Sequence, residues 1–502
     1  MPLNRLIGLL GDLSGTAAAI CLGTAMAGVY ALFATPAGIE FGMAIRGLRQ
    51  VFVQEEAVVP LLLVLLLLAS GAYRPTSFYR KHKMATVLHS VTWAYLLYVV
   101  AVYLIVRRPP EARAELVFSY LLTALILIGL RQAKLIVVRA ETRPGPLVGG
   151  DGKHVLVIGG AGYIGSQLCE NLLRDGYRVR ILDNLTYGDR AIQPLLNHPK
   201  LELLRADMRH LESLALAVRT VDSVVHLGAI VGDPACALDN ETTVEINLLA
   251  TRMVRDLCQG NGLRRLIFAS TCSVYGAGAG VTNESSELHP VSLYACTKID
   301  SEKCLLEAEG PCSQVIFRLA TVFGLSPRPR FDLVVNLLSA QANFRQKFTI
   351  FNPGQWRPLV HVADVCHALQ LGLEAEDRAV RNEIFNLGDD TMNFTLGQIG
   401  EAVCRHFPEA HMECVEKTAD HRDYRVNFGK IRRVLGFQRQ HDLESGIQEL
   451  QDAFSSGRIP NYQDPFFYNL DYLRNEPAKR LNILRHDGTS RDFITRAAQA
   501  GR

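Results

Sequence analysis

Apolar residues are concentrated in four stretches near the start of the chain, at 13–34, 58–73, 85–106 and 116–138. A helix needs about 20 predominantly apolar residues to cross a bilayer, and the first and third stretches are long enough. The second is short, and the fourth is interrupted by Arg131 and Lys134. We therefore expect an α-helical transmembrane region of about four helices over residues 1–140. Two or three spans plus an interfacial helix are the alternative.

The charges between these stretches indicate an orientation. With the N-terminus inside, the cytoplasmic segments hold nine lysines and arginines and the outer loops hold five, in agreement with the positive-inside rule. The protein would then be a multi-pass protein of the inner (cytoplasmic) membrane with its remaining residues in the cytoplasm. The N-terminus lacks the compact basic region and short apolar core of a cleavable signal peptide.

The pattern changes after residues 141–152, a linker rich in proline and glycine. A β-branched run at 154–158 ends in glycine, and the helical pattern that follows opens with Gly159, Gly162 and Gly165. At such a strand–turn–helix junction, free backbone N–H groups and the positive end of the helix dipole bind phosphate.

Glycines at this spacing also occur where a helix merely packs on a strand. A second feature is therefore needed to indicate a dinucleotide site. Asp183 ends the next predicted strand, 18 residues after Gly165, where an acidic side chain can bind ribose hydroxyls. Together the two features predict a dinucleotide site. Asp183 would repel a 2′-phosphate, so NAD is favoured over NADP.

Strands and helices alternate through the body of the chain. The pattern predicts strands at 178–182, 201–204, 223–227 and 266–269, and helices at 211–218 and 241–258. Such alternation predicts an α/β fold of the Rossmann type, with a doubly wound parallel sheet.

A tyrosine and a lysine are spaced to share one helix face. Tyr294 and Lys298 lie four residues apart, and Thr271 follows the strand predicted at 266–269. A nearby ammonium lowers the pKa of a tyrosine from its usual value of about 10. Such a tyrosine can take a proton from an alcohol while NAD accepts a hydride. An isolated pair of this kind is more commonly a pair of surface neighbours, but the upstream dinucleotide motif favours catalysis.

Composition narrows the function further. The 502 residues carry a net charge of +3, divided into +7 for residues 1–143 and −4 for the remainder. There is neither an arginine-rich run nor zinc-finger spacing, so nucleic-acid binding is not indicated. The 11 cysteines are scattered without a CxxC pair, which indicates reduced packing residues and no metal site.

These motifs resemble those of the extended short-chain dehydrogenase/reductase superfamily, in the NAD-dependent epimerase/dehydratase branch typified by UDP-galactose 4-epimerase. The resemblance covers residues 153–470 and rests on GGAGYIG, DNL, HLGA, STCSVYG, YACTK and RPLVHVADV. It implies a smaller C-terminal substrate domain, built from 331–351 and the segment beyond about 375, and a homodimer. Residues 1–140 also resemble the membrane regions of polyprenyl-phosphate sugar phosphotransferases through SGAYRP at 70–75. No role is assigned to the tail at 471–502.

The resemblance implies a role for each matched residue. Cofactor binding would involve Gly159, Gly162, Tyr163, Ile164, Gly165, Asp183, Asn184, Asp207, Met208, Leu227, Gly228, Ala229, Asn247, Tyr294 and Lys298. Catalysis would involve Thr271, Tyr294 as the base and Lys298 as its partner. Substrate binding would involve Thr271, Thr321, Arg357 at the diphosphate, and Arg422. Arg425 is the alternative to Arg422, and either could equally be a salt-bridged surface arginine.

Three positions depart from the family pattern. The dehydratases carry Asp-Glu after the triad threonine, whereas this chain has Cys272 and Ser273, so dehydration is disfavoured. Cys272 is expected to be a packing residue. Thr321 stands where the epimerase has an asparagine that contacts the substrate, so the identity of the sugar stays open.

We therefore expect a membrane-anchored, NAD-dependent sugar epimerase. It would act at C4 of a nucleotide-activated (UDP-type) or polyprenyl-diphosphate-linked sugar in envelope polysaccharide biosynthesis. One alternative is a sugar dehydrogenase or keto-sugar reductase with the same triad, and another is a non-catalytic NAD-binding scaffold on a membrane anchor. Expected partners are the sugar substrate, membrane lipid, a membrane glycosyltransferase and a second copy of the chain.

Overall fold

The computed structural model describes residues 59–60, 62–63, 65–66, 83–106, 117, 120–129, 153–416 and 423–475. The chain divides into two compact units, residues 1–141 and 142–502. The predicted span at 13–34, the linker at 141–152 and most of the tail at 471–502 lie outside the described residues. Parts of the predicted spans at 58–73 and 116–138 also lie outside them.

In the N-terminal unit, the apolar stretch predicted at 85–106 forms a helix, Lys83–Val106. The helix packs against the following apolar segment, where the hydroxyls of Tyr95 and Thr123 lie 3.1 Å apart. Its other face keeps large apolar side chains exposed, and Trp93 is 54% exposed. Within the described parts of the chain, no helix is long and apolar enough to cross a membrane.

The second unit is built around a parallel sheet. Its strands are β1 (His154–Ile158), β2 (Arg178–Asp183), β3 (Leu201–Arg205), β4 (Ser223–His226), β5 (Arg265–Thr271), β6 (Ala277–Thr282), β7 (Ser313–Leu319), β8 (Thr321–Phe323), β9 (Lys347–Phe351), β10 (Trp356–His361), β11 (Glu383–Leu387), β12 (Asn393–Thr395), β13 (His411–Val415) and β14 (Asp423–Val426). Seven of these strands form one sheet in the order β11–β7–β5–β4–β1–β2–β3, with parallel neighbours throughout. This is the predicted doubly wound arrangement. The predicted strand bounds are correct to within two residues.

Helices connect these strands. They are Tyr163–Arg174, Leu211–Ala217, Asp233–Cys236, Asn240–Val244, Ala250–Gly260, Leu293–Leu306, Val334–Arg345, Val362–Glu374, Asp377–Val380, Leu396–His406, Gly429–Leu435, Leu443–Ser455 and Asn469–Asn475. The stretch predicted as one helix at 241–258 is interrupted by a π-helical turn, Glu245–Leu249. Such turns are frequent at functional sites, and this one carries Asn247.

Two apolar clusters cover the two faces of the parallel sheet. Alternate residues of β1 divide between them, because Val155 and Val157 belong to one cluster and Leu156 and Ile158 to the other. Successive strand residues point to opposite faces, so a strand buried on both faces is apolar throughout. Each fully buried side chain of this size contributes about 1.5–3 kcal/mol.

A third apolar cluster lies in the region for which the sequence predicted a smaller C-terminal domain. The helices Val334–Arg345, Leu396–His406 and Leu443–Ser455 contribute most of it, together with residues of β9 and β10. Strand β10 pairs with β8 in parallel and with β12 in antiparallel orientation. The chain therefore passes from β7 of the large sheet to β8 of this smaller sheet between Leu319 and Thr321.

Candidate active site

The glycine turn after β1 leaves no room for side chains. Gly159 has a φ of +81°, which residues with a Cβ rarely adopt, and a Cβ there would lie 2.7 Å from the backbone nitrogen of Gly228. A Cβ on Gly165 would lie 2.2 Å from the Gly159 carbonyl oxygen. Gly162 caps the N-terminus of the helix Tyr163–Arg174, whose first turn has free N–H groups. The turn is therefore a cradle that fits a phosphate group.

A cleft lies at the carboxyl ends of β1, β2 and β4, and we call it the cofactor cleft. Nine predicted cofactor-binding residues line it: Gly159, Gly162, Asp183, Asn184, Asp207, Met208, Leu227, Gly228 and Ala229. Six further lining residues were not indicated by the sequence motifs: Thr186, Tyr187, Gly188, Ile230, Ile246 and Leu473. Ligands of doubly wound sheets bind at this edge.

Two residues of the glycine motif turn their side chains away from the cofactor cleft. The Tyr163 hydroxyl donates a hydrogen bond to the carbonyl oxygen of Gly324 at 2.8 Å, and the ring is buried. Ile164 packs against the apolar core. Any contribution of these two residues to cofactor binding must therefore come from their backbone, and Tyr163 ties the glycine turn to the chain after β8.

Asp183 is fixed at the end of β2 by backbone donors. The Ala161 N–H donates to Oδ2 at 3.0 Å, and the Leu185 N–H donates to Oδ1 at 2.8 Å. Burial raises the pKa of Asp183, and these two hydrogen bonds lower it. Each carboxylate oxygen has a further lone pair, so Asp183 can still accept hydrogen bonds from ribose hydroxyls. The neighbouring Asn184 accepts from the Thr186 N–H at 3.0 Å.

Asp207 follows β3, and its carboxylate is held by an arginine that the sequence did not indicate. Arg209 binds it, with Nη2 donating to Oδ2 at 2.7 Å, and its Nη1 lies 3.3 Å from a carboxylate oxygen of Glu245. Burial opposes ionisation of Asp207, but hydrogen bonding and attraction by Arg209 lower its pKa overall. Asp207 is therefore a fixed anion at the cleft, beside the buried Met208.

Asn247 supports the loop after β4 through its side chain. Its Oδ1 accepts from the Ile230 N–H at 2.8 Å, and its Nδ2 donates to the Ile230 carbonyl at 2.9 Å. Asn247 is 1% exposed and does not line the cofactor cleft. It therefore positions the loop 227–230, three of whose residues were predicted to contact the cofactor.

The three predicted catalytic residues lie together at the end of β5. Thr271 is the last residue of this strand, and its side chain lies near Tyr294, where it lowers the pKa of the tyrosine. Tyr294 and Lys298 are one turn apart on the helix Leu293–Leu306, with Lys298 Nζ 5.9 Å from the Tyr294 ring centre. Tyr294 also packs against the apolar cluster that includes Met208. The triad and the cofactor cleft are therefore neighbours on one face of the sheet.

The pKa of Tyr294 shifts in the direction opposite to the one we predicted. Burial raises it well above its usual value, and Arg330 and Thr271 lower it only in part. A phenolate that is removed from water loses the hydration that stabilises its charge. The Lys298 ammonium donates a hydrogen bond to the Ala269 carbonyl at 2.7 Å.

Burial acts on Lys298 as well. The side chain is 4% exposed, and burial lowers its pKa to about 8, although Cys236 and Glu302 raise it. The ammonium also lies 4.5 Å from the centre of the Phe268 ring, where the ring quadrupole attracts a cation. Lys298 is therefore a buried cation at neutral pH, and its ammonium contacts the Ala269 carbonyl and the Phe268 ring.

A second cation, Arg330, acts on the catalytic tyrosine and was not predicted. Burial dominates the pKa of Tyr294, and against it the Arg330 guanidinium lowers that pKa. Two of its N–H groups bind the two oxygens of Asp332, each at 2.9 Å, which fixes its orientation. One sequence feature could have indicated this residue. Arg328 and Arg330 form a pair of arginines in a proline-containing loop that directly follows a strand.

A second cleft, of about 800 Å³, lies in the smaller domain, and we call it the substrate cleft. Asp332 lines it, together with three basic residues, Arg345, Lys347 and Arg357. Arg357 is 7% exposed, and its Nη1 donates to the Trp356 carbonyl at 2.8 Å. Grouped guanidinium and ammonium groups suit a diphosphate.

Two other candidates for substrate binding, Thr321 and Arg425, lie on strands close to β10. Thr321 begins β8 and is paired with Leu359 of β10. Arg422 lies outside the described residues. Arg425 lies on β14, with its guanidinium carbon 4.9 Å from the centre of the Trp356 ring. Arg425 therefore contacts the residue next to Arg357.

Cys272 and Ser273 occupy the positions at which the family's dehydratases carry acidic residues. The Cys272 side chain is fully buried, and its thiol donates to the Arg318 carbonyl at 3.2 Å. Burial raises its pKa, which agrees with the prediction of a packing residue. The Ser273 hydroxyl lies 3.4 Å from that of Tyr424. Among the described residues, no group of three or more His, Cys, Asp or Glu side chains could bind a metal ion.

A phosphate cradle, a fixed carboxylate for a ribose and a tyrosine–threonine pair beside them define an enzyme that performs redox chemistry at an alcohol carbon with a dinucleotide. Residues 155–388 match the NAD dependent epimerase/dehydratase family. The chain belongs to this family, and its cofactor is NAD, which the residues of the cofactor cleft fit.

The relatives include nucleotide-sugar epimerases. A UDP-glucose 4-epimerase of Rhizobium leguminosarum bv. trifolii is 28% identical, over 60% of this chain and 97% of its own length. An uncharacterized UDP-glucose epimerase of Bacillus subtilis (strain 168) is 30% identical, over 42% of this chain and 69% of its own length. A solved structure of MoeE5 with UDP-glucuronic acid and NAD is 27% identical, with a TM-score of 0.53 over 60% of this chain and 99% of that one.

Proposed function

We propose that this protein is a membrane-anchored, NAD-dependent 4-epimerase of a nucleotide-activated sugar. The observation that carries the proposal is the grouping of Thr271, Tyr294 and the buried Lys298 at the end of β5, next to the cofactor cleft. A tyrosine needs such neighbours to exchange a proton with a sugar hydroxyl.

The chain's own residues move and hold the proton. The Tyr294 oxygen accepts the proton of the sugar hydroxyl and returns it at the end of the cycle, and the Thr271 hydroxyl holds that sugar oxygen in place. Lys298 and Arg330 supply positive charge that favours the phenolate, the form of Tyr294 that can accept this proton. Bound NAD would supply the acceptor, and later the donor, of the hydride. Thr271 and Lys298 are buried and Tyr294 is partly buried, which limits the access of water to the keto sugar.

The carrier of the sugar is proposed from the substrate cleft. Arg345, Lys347 and Arg357 line it, and their charges suit the diphosphate of a nucleotide sugar. A UDP-sugar is favoured because the relatives named above act on UDP-glucose or bind UDP-glucuronic acid. A polyprenyl diphosphate offers the same diphosphate and is the alternative carrier.

Epimerisation is favoured over dehydration by the chemistry of two side chains. Loss of water from C5 and C6 needs an acid and a base after the triad threonine. The thiol of Cys272 is buried and its pKa is raised by burial, and Ser273 is a hydroxyl. Neither residue can act as the acid or the base that removal of water requires. The keto sugar would therefore not lose water and would instead take the hydride back.

The membrane anchor is proposed from the N-terminal region. Four apolar stretches precede the catalytic unit, and the helix Lys83–Val106 exposes large apolar side chains such as Trp93. The positive-inside rule favours an inner-membrane protein with its catalytic unit in the cytoplasm. There it could receive a lipid-linked sugar or dock to a membrane glycosyltransferase in envelope polysaccharide biosynthesis, and we propose a homodimer.

The function is tested with full-length protein purified in detergent, without added cofactor. It is incubated with UDP-, dTDP- and GDP-sugars, the product stereochemistry is recorded by NMR, and reduced nicotinamide is followed by its absorbance. We expect an epimerised product without net formation of NADH. Turnover only with stoichiometric consumption of added NAD(H) would instead identify a dehydrogenase or reductase.

The control is Tyr294→Phe, which removes one hydroxyl and keeps the ring. It should abolish turnover while NAD remains bound. Full turnover by this variant would refute the assigned base and favour a binding scaffold. Membrane anchoring is tested separately, by fractionating cells that express the full chain or residues 148–502. Both forms in the soluble fraction would exclude the anchor.

A further inference from the structure

The chain after the smaller domain lies against the cofactor cleft. Residues 464–475, which we call the C-terminal clasp, consist of a short turn, Pro465–Phe467, and a helix, Asn469–Asn475. They lie beyond the part of the chain that matches the family, which ends at residue 388. The family match therefore assigns no role to the clasp.

The clasp is fastened to the loop 326–332 by buried polar groups. The Asn469 N–H donates to the Asp332 carboxylate at 3.2 Å, and Arg328 Nη2 donates to the Asn469 side-chain oxygen at 2.9 Å. Arg328 and Asn469 are each 2% exposed. Partial separation would leave these groups buried without partners, which is unfavourable. The contact is therefore expected to form or break as a unit.

The other side of the clasp meets the cofactor cleft. The rings of Tyr187 and Tyr472 lie 5.4 Å apart, and the Arg328 guanidinium carbon lies 3.9 Å from the centre of the Tyr187 ring. Tyr187 and Leu473 both line the cofactor cleft. Leu473 is 8% exposed and belongs to the same apolar cluster as Met208. The clasp therefore supplies part of one wall of the cleft through Leu473, and Tyr472 packs on Tyr187 of the same wall.

The helix Asn469–Asn475 is held in position by its contacts with the rest of the protein. The helix Asn469–Asn475 has seven residues, and a helix this short is not stable by itself in water. It persists because Leu473 is buried and Asn469 is bonded to the loop. Loss of either contact should release the helix as a whole and open the cofactor cleft on that side.

We propose that the C-terminal clasp retains NAD in the cofactor cleft and that NAD is released only after the clasp detaches. A cofactor that returns to its starting oxidation state in every cycle has no need to exchange, so slow release suits an epimerase. The proposal itself rests on NAD binding and not on the identity of the sugar.

The test measures the rate at which NADH leaves the full-length protein in detergent. Protein loaded with NADH is mixed with excess NAD⁺, and the loss of bound-NADH fluorescence is followed by stopped flow. The variants are Leu473→Ala and Tyr472→Ala. The control is Arg474→Ala, because Arg474 is exposed on the same short helix. We expect dissociation about tenfold faster or more for the first two, since tenfold corresponds to about 1.4 kcal/mol, and no change for the control.

A second measurement does not depend on any variant folding. Trypsin cleavage after Arg474 is compared in the presence and absence of saturating NAD, by mass spectrometry of the intact protein. We expect NAD to slow the cleavage, because bound NAD and the closed clasp favour each other. Equal cleavage rates would overturn the proposal. So would unchanged NADH dissociation in Leu473→Ala, or tighter binding by it, which would mean that Leu473 excludes the cofactor.

Discussion

Replacing Lys298 by methionine should abolish turnover and still make the protein more stable at neutral pH. Lys298 is 4% exposed, and burial lowers its pKa from 10.5 to about 8. Each tenfold change in an ionisation constant corresponds to about 1.4 kcal/mol. Keeping the ammonium charged below pH 8 therefore costs the folded state about 3 kcal/mol relative to an uncharged side chain.

Part of this cost is offset by contacts that methionine cannot make. The Lys298 ammonium donates to the Ala269 carbonyl at 2.7 Å and lies 4.5 Å from the Phe268 ring centre. Together these two contacts contribute about 2 kcal/mol. The net gain expected for Lys298→Met at neutral pH is therefore about 1 kcal/mol.

The pH dependence gives the sharper test. Because folding lowers the pKa of Lys298, the unfolded chain binds a proton that the folded chain lacks between about pH 8 and pH 10.5. The stability of the wild type contributed by this residue therefore rises with pH across that window, and it is lowest below it. The advantage of Lys298→Met should be largest below pH 8, fall by about 3 kcal/mol across the window and reverse in sign before pH 10.5.

The assay is denaturant unfolding of the full chain in detergent, at several values between pH 7 and pH 10.5. The control is Lys303→Met on the same helix, whose side chain is 66% exposed and should show no such dependence. A Lys298→Met variant that is less stable than the wild type at neutral pH, with a difference independent of pH, would refute the reasoning.

Three further changes test the site. Tyr294→Phe should lower kcat by about 10²–10⁴-fold with NAD content unchanged, measured by turnover and by the absorbance of released cofactor. Gly165→Ala should lose NAD, because its Cβ would lie 2.2 Å from the Gly159 carbonyl oxygen, whereas Gly260→Ala meets no atom within 4 Å and should bind normally. Arg330→Gln should move the acidic limb of the kcat/KM profile to higher pH, since the arginine lowers the pKa of Tyr294 against the larger effect of burial. An unshifted limb would mean that Arg330 does not act on the base.

The large sheet was predictable because its signals are local. A strand buried on both faces is apolar throughout, as in β1, and the turn at Gly159 requires glycine at its position. Each of these sequence patterns is contained within a few neighbouring residues, and apolar strands of this kind recur along the chain. The single helix expected at 241–258 was wrong in one respect, because no local pattern distinguishes the π-helical turn Glu245–Leu249 from a regular helix.

The rest of the site depends on contacts between residues far apart in the chain. Arg330 acts on Tyr294, and Leu473 lines the cleft formed by the glycine turn. Neither residue lies in a motif with a characteristic spacing. The direction of the Tyr294 shift was also missed, because the spacing to Lys298 reveals a neighbouring charge but not the degree of burial that outweighs it.

The Asp332 carboxylate contacts both the clasp and Arg330, the residue that lowers the pKa of Tyr294. Asp332 accepts a hydrogen bond from the Asn469 N–H at 3.2 Å. It also accepts hydrogen bonds from Nε and Nη2 of Arg330, each at 2.9 Å. If the clasp detaches, Asp332 loses one donor and the loop 326–332 loses the contacts that fix its position. Arg330 would then hold its place near Tyr294 less firmly, and the pKa of the tyrosine would rise further. The phenolate form of Tyr294 would therefore be most populated with the clasp closed, which is the state in which NAD is retained.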